Sequence, residues 1–300
     1  MQMSTDDLFS KAIADADKKF EDKPEDFPVI IDPRVRKPKE YTSGITLIDA
    51  DSILFKVCCT QTSNSGIRKH IKEELHFIDR ECMYDRIQIA VKGKGNFRYN
   101  VFSDYKSNRP DLDPDLRKRL SYAHEWVLDN YPAVTADGME ADDLVSIWAW
   151  EALSNEVPYI VAHIDKDLDQ IPGQHFNFNK KQMYSVSERD GYMKLIEQWI
   201  TGDSADGIPG IKGYGPAKAK KAIAGVLPEN LEDCVRRLYK SLGYSEEYCQ
   251  QMYDCVYMLQ SWDELYVHEP SLKPETDISQ QDVLSDETED SGLQELSTGN

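Results

Sequence analysis

The chain has 300 residues, 40% of them hydrophobic, enough for one sizeable core with a smaller helical unit and tails. It contains no apolar run of membrane-spanning length and no basic-then-apolar start, so neither a membrane helix nor a secretory signal is expected, and the cytoplasm is the expected location. The formal charge of −19 argues against a polyanion partner, and six cysteines without a C-x-x-C pair suggest neither a disulfide framework nor a cysteine zinc site.

In chain order, residues 1–43 form an N-terminal extension of mixed charge and several prolines, with one short amphipathic helix expected over 6–20. An α/β unit is expected over 44–187. It starts with a strand at 45–48 and a helix beginning at 52–59. A helix follows over 68–83, with Ile71, Leu75 and Ile78 on one face, then a strand at 86–91. Residues 92–112 are polar, basic and aromatic without a period, and their length suits a mobile arch. Next come a helix at 114–130, a short strand at 133–135, a helix at 140–153 and a buried strand at 159–163. A peripheral hairpin is expected from 176–178 and 182–186. A helical subdomain, 188–268, holds helices at 188–200, 216–224, 231–242 and 246–259. Residues 269–300 carry nine acids, one base and no aromatic, a composition that favours a disordered acidic tail. Alternation of short β-rich runs with helices predicts an α/β fold with a mostly parallel central sheet flanked by helices, followed by a C-terminal helical unit.

Four acidic groups stand out, each with an ordinary alternative. Asp49 follows the apolar run ITLI, where a parallel strand delivers it to the ligand-binding edge of a sheet; Asp51 beside it could be a helix N-cap. Glu140, Asp142 and Asp143 open a helix, where acids also complement the helix dipole. Asp165 and Asp167 follow the strand YIVAH. An EF-hand is excluded there, because its sixth position would be Gln170 and its twelfth Phe176. His163, on that strand, reads as core packing. Asp203 and Asp206 lie in TGDSADGIPG, where turn-forming aspartates are common. The first three groups converge on one sheet edge. So many facing carboxylates repel unless cations intervene, and Mg²⁺ or Mn²⁺ suits an all-oxygen set better than Zn²⁺. Two such ions would also offset part of the negative charge and serve in-line attack on a phosphodiester.

Two basic segments supply the complementary signal. GIPGIKGYGPAKAKKAI sets Gly207, Gly210, Gly213 and Gly215 in a turn entering a helix at Pro216, with Lys212, Lys218, Lys220 and Lys221 around it. This is a sequence-independent grip on a phosphate backbone. KGKGNFRYNVFSDYKSNRP interleaves Lys92, Lys94, Arg98, Lys106 and Arg109 with Phe97, Tyr99, Phe102 and Tyr105, which suits contact with a single strand, a charged surface loop being the alternative.

The segments TLIDADSILFK, NFRYNVFSDYKSNRP, GMEADDLV, IVAHIDKDLDQIPG and WITGDSADGIPGIKGYGPAKAKKAI resemble, in order, the flap endonuclease and 5′–3′ exonuclease superfamily, and most of all the phage-encoded 5′–3′ exonucleases. The resemblance implies a PIN-like nuclease fold with a helix-three-turn-helix. It implies a hydrolase that cleaves DNA at 5′ ends or flaps, and possible RNA primers in RNA–DNA hybrids, during replication or repair. It assigns Asp49, Glu140 and Asp142 to one Mg²⁺ site and Asp143, Asp165, Asp167, Asp203 and Asp206 to another, with Mn²⁺ able to substitute. It gives Lys106 and Arg109 a catalytic role on the scissile phosphate, Tyr105 a base to stack on, and Arg98, Gly210, Gly213, Gly215, Lys212, Lys218, Lys220 and Lys221 contacts with nucleic acid. A K⁺ ion at the helix-three-turn-helix and a replication protein docked on the acidic tail are further expectations. In one place the chain departs from the pattern. Where the family carries a metal-binding aspartate, residues 91–95 read VKGKG, leaving open a catalytically weakened binding accessory of the same fold.

Overall fold

A computed structural model describes residues 42–274; the helix expected over 6–20 and nearly all of the acidic tail fall outside that range. Six strands form one sheet in the order β3-β2-β1-β4-β5-β6. They are β1 Thr42–Asp49, β2 Tyr84–Lys92, β3 Ala133–Ala136, β4 Tyr159–His163, β5 Gly173–Asn177 and β6 Gln182–Val186. The pairings from β3 through β5 are parallel, and β6 closes the edge antiparallel to β5. The expected hairpin is therefore present, but as the margin of the main sheet.

Alternation within the strands explains the layers. Ile48, Ile89, Val91, Ile160 and Ala162 face one side. There they meet α1 (Asp51–Thr60), α2 (Asn64–Cys82) and α3 (Pro114–Asn130). Leu47, Ala90 and Val161 face the other side, against α4 (Ala141–Ser154) and α9 (Trp262–His268). With both faces covered, the central strands read as continuous apolar runs, as a parallel sheet requires. Two of these helix starts are set by side-chain caps. Ser63 accepts from the Gly66 amide before α2, and Asp113 accepts from Asp115 and Leu116 before Pro114 in α3.

Between these lie α5 (Glu188–Thr201), α6 (Pro216–Ala222), α7 (Leu231–Ser241) and α8 (Glu246–Val256). They bury Trp199, Ile200, Ile208, Tyr239 and Met252 in a separate cluster. Two expectations are corrected. The chain returns after α8 to add α9, whose Leu265 packs beneath α4. The segment expected as an arch is folded down on the body: it makes a helical turn, Arg98–Val101, buries Phe97 and Tyr105, and stacks Phe97 on His268 at 4.4 Å. Apolar area favours that packing over a free loop.

The chain builds β1, β2 and β3 outward and then crosses back to β4 on the other side of β1. A topological switch point therefore falls at the C-terminal ends of β1 and β4, where open parallel sheets gather their ligands.

Candidate active site

Four pieces of chain bring acids to that switch point. Asp49 ends β1, and Asp165 and Asp167 follow β4 in a 3₁₀ turn, with the Asp167 amide donating to the Asp165 carboxylate at 2.9 Å. Glu140 and Asp142 open α4. Asp203 and Asp206 sit in the turn after α5, which a two-way backbone pairing of Asp203 with Ile208 closes. Gly202 permits that turn: its φ is 68°, and a Cβ there would stand 2.1 Å from the Ile208 carbonyl oxygen. A cleft is lined by Tyr105, Glu140, Asp142, Asp167, Asp203 and Asp206.

The electrostatics tie the four pieces together. Burial pushes Asp49 well above the usual carboxylate range, and Asp51, Asp165 and Glu140 push further. Burial likewise lifts Asp142 far up, with Glu140 and Asp143 adding to it. Asp165 is raised by burial and by Asp206 and Asp203, and Asp167 is pushed up to about 8 by burial, Asp165 and Asp203. Glu140 goes the other way: burial works to raise it, but Lys106, Arg98 and Arg109 outweigh that, and its pKa is lowered. This is an oxygen-only cluster whose negative charge its neighbours do not match, the donor chemistry that hard divalent cations satisfy.

The cations present line one wall. Lys106 pairs with Glu140 and lies 3.5 Å from Asp206, and Arg109 pairs with Asp206. The Lys106 backbone is left-handed, φ 54°, and its amide donates to the Asp206 carbonyl at 2.7 Å. This conformation, which costs on the order of 1–3 kcal/mol, aims the ammonium at the cleft carboxylates of Glu140 and Asp206. Three residues that the sequence did not single out also touch the cluster. Lys166 lies 3.7 Å from Asp203, Lys194 lies 3.7 Å from Asp167, and Gln198 donates to Asp167 at 2.8 Å. Gln198 and Lys194 lie on α5, four residues apart, a helical spacing that could have revealed their shared face.

Two assignments are corrected by where the side chains lie. Asp143 does not line the cleft; it is held in a buried pair by Arg98, which forms part of the cleft's inner wall. Arg98 reaches both Asp143 oxygens (2.5 and 2.8 Å) and donates to the carbonyls of Cys255 and Tyr257. Asp143 also accepts the amides of Glu140 and Leu259. With its lone pairs committed to these donors, Asp143 has none to spare for a metal, and the buried Arg98 cannot meet nucleic acid. Tyr105, too, is buried, with its hydroxyl 3.3 Å from Asp206, so in this arrangement it offers no face for a base to stack on.

At the position where the sequence departs from its family, Lys92 ends β2 with its side chain exposed, and its amide donates to Asp51 at 2.8 Å. A carboxylate does stand nearby, contrary to the reading of 91–95 alone. Asp137, from the end of β3, holds the Lys94 amide at 2.8 Å and occupies the space beside Gly93. It faces solvent and serves as a backbone cap.

Away from the cleft, Gly207, Gly210 and Gly213 all take positive φ. Gly210 packs against the end of α5, where a Cβ would meet the Gly202 amide at 2.4 Å, whereas Gly213 and Gly215 face open space. Lys212, Lys218, Lys220 and Lys221 are exposed around them, with Lys218 over the Tyr214 ring at 3.8 Å and Lys220 3.8 Å from Glu197.

Residues 44–198 match the family model described as the 5′-3′ exonuclease, N-terminal resolvase-like domain. The chain belongs to this family. Its relatives include DNA polymerase I of Pseudomonas aeruginosa, 26% identical over 200 residues that make up 61% of this chain and 22% of that protein. Another is the flap endonuclease Xni of Pseudoalteromonas translucida, 28% identical over 45% of this chain and 57% of the relative. The chain thus spans about a fifth of the polymerase and just over half of Xni. Among solved structures, T5 5′-exonuclease with bound divalent metal ions (zinc) superposes with a TM-score of 0.59 at 17% identity, over 76% of this chain and 97% of that one. That likeness establishes the PIN-like nuclease fold. Among the described residues no helix is long and apolar enough to cross a membrane.

Proposed function

We propose that the chain is a Mg²⁺-dependent 5′ nuclease that hydrolyses phosphodiester bonds in DNA bearing 5′ ends or flaps. The observation that carries this reading is the convergence of Asp49, Glu140, Asp142, Asp165, Asp167, Asp203 and Asp206 into one under-neutralised oxygen cluster at the sheet's switch point. The donor set fits two hard divalent ions, Asp49, Glu140 and Asp142 contributing to one and Asp165, Asp167, Asp203 and Asp206 to the other, with Mn²⁺ as a substitute. Bound there, such ions supply Lewis acidity and an activated water.

The protein's own residues do the rest. Lys106 and Arg109 move from their carboxylate partners onto the scissile phosphate and offset the charge that builds there. The positive-φ turn at Gly210–Gly215 and the lysines beside it hold the duplex backbone without reading its sequence, K⁺ being a further ligand of that turn. RNA–DNA hybrid is a second substrate, and a replication protein contacting residues 269–300 a further partner.

The test is Asp165→Asn assayed on a 5′-labelled flapped duplex in Mg²⁺. Cleavage is expected to fall to background with flap binding retained, and full activity would overturn the metal assignment. Lys92 supports one rival, a binding accessory of the same fold that has lost catalysis. For that rival, the wild-type chain binds the flap in Ca²⁺ and leaves it intact in both Mg²⁺ and Mn²⁺.

A further inference from the structure

A different group of side chains lies at the β4–β5–β6 end of the sheet. His163 ends β4, Asp169 lies in the 3₁₀ turn, His175 is in β5, and Tyr184 is its cross-strand partner in β6. One ligand atom from each of His163, Asp169 and His175 falls within 4.8 Å of the others, and both imidazoles are fully buried.

Counting protons makes the arrangement informative. His163 Nδ1 lies 2.5 Å from the Asp165 carbonyl oxygen, and His175 Nε2 lies 2.8 Å from that of Ile171. A carbonyl only accepts, so each outer nitrogen carries the proton, and a neutral imidazole has just one. The inner nitrogens, His163 Nε2 and His175 Nδ1, then face each other at 2.8 Å with two lone pairs and no hydrogen between them. Tyr184 does not supply it, because its hydroxyl donates to Asp169 at 2.6 Å while lying 3.2 Å from His163 Nε2. Something cationic must sit between the rings, either a third proton or a metal ion.

We infer that it is a metal ion, and that His163 Nε2, His175 Nδ1 and the Asp169 carboxylate form a transition-metal site, with zinc the best match and the Tyr184 hydroxyl beside it. Three observations favour metal over proton. A carboxylate stands in reach as a third, anionic donor. Both rings spend their outer N–H on backbone carbonyls, the device that fixes tautomer and direction in metal-binding histidines. Two imidazoles with one carboxylate suit zinc, unlike the all-oxygen cleft. With metal–nitrogen bonds of about 2.0–2.1 Å, a tetrahedral site needs the inner nitrogens to part by only about half an ångström. Because His163 also holds the Asp165 carbonyl, the ion would brace the loop that carries Asp165 and Asp167. The sequence carried the signal as H-x5-D-x5-H, with no cysteine involved.

The test reads binding rather than cleavage, so its failure is separate from failure of the nuclease reading. The full chain, stripped with EDTA and returned to excess Mg²⁺, is titrated with ZnCl₂, and in parallel with CoCl₂ while the visible spectrum is recorded. One equivalent of zinc and the intense absorption of tetrahedral cobalt are expected in the wild type and in Asp203→Asn. His175→Gln should lose both, and Asp169→Asn should bind roughly tenfold or more weakly. Asp169 lies at the surface side of the cluster, so its variant decides the matter should His175→Gln not fold. Absence of zinc uptake by the wild type, equal uptake by both histidine-cluster variants, or a third ring proton persisting in ¹⁵N-resolved spectra under excess zinc would each overturn the site.

Discussion

The first turn of α4 sets two acidic regions side by side, and they solve opposite problems. Asp143 points inward, where Arg98 and two backbone amides match its charge and occupy its lone pairs. Asp142, one residue earlier, points into the cleft, where burial and neighbouring carboxylates press its pKa up. A buried charge costs several kcal/mol unless it is paired. The fold meets that cost within the protein at Asp143 and leaves it unmet by its own donors at Asp142, Asp49, Asp165 and Asp167, where the proposed cations would meet it. The lesson is that acidity alone does not mark a ligand; what marks one is acidity that the protein's own donors leave unsatisfied.

Breaking the matched side should have the largest effect on stability. Arg98→Met leaves Asp143 buried and unpaired, and is expected to destabilise the fold by about 3–5 kcal/mol in urea unfolding. Arg98→Met with Asp143→Leu should recover much of that loss, because an apolar replacement removes the stranded charge. If the double variant is no better than the single one, the stranded Asp143 charge is not what the loss of Arg98 costs.

The unmatched side should respond in the opposite sense. Carboxyls whose folded-state pKa is raised hold protons that the unfolded chain has released, so stability is greatest below the ordinary carboxylate pKa and declines as pH rises toward the folded value. With Asp167 pushed up to about 8, the melting temperature in EDTA should fall steadily from pH 5 to pH 8. Mg²⁺ should restore it most at pH 8, where protons no longer compete. Asp167→Asn should flatten that slope and raise the metal-free melting temperature at pH 8. A flat wild-type profile would show that the cleft acids are not strained against one another.

This contrast also explains what could be seen in the sequence. Residues 114–130 and 159–163 were legible to the residue, since Asp113-Pro114 and the bounded run YIVAH are strong local signals. Convergence of the acids was legible too, because parallel strands deliver their C-terminal residues to one edge. Direction within a helical turn was not. Asp142 and Asp143 look alike in GMEADDLV, and only distant segments, Arg98 from before β3 and the Leu259 amide from after α8, give Asp143 its long-range partners. The same long-range contact accounts for α9, and the burial of Phe97 and Tyr105 for the segment that looked like a free arch. His163 read correctly as a core residue, but its pairing with His175 depends on the register of β5, which no local pattern reveals.

The smallest effect belongs to the exposed lysines, and it sharpens the comparison from outside. Lys218, Lys220 and Lys221 hold charge in water, where they neither stabilise nor strain the fold appreciably. If they grip a duplex backbone, replacing each by alanine should lower the slope of log binding constant against log salt by about 0.9. Lys221 should approach that value. Lys220 should fall short of it, because Glu197 stands 3.8 Å away and already offsets part of its charge. Cleavage at saturating DNA should stay unchanged in both, since neither reaches the cleft. Asp167→Asn should show the converse, losing cleavage while keeping the wild-type salt slope in Ca²⁺. An unaltered slope in Lys221→Ala, measured by fluorescence anisotropy on a flapped duplex, would detach the glycine-lysine turn from DNA binding and leave the acid cleft to account for recognition alone.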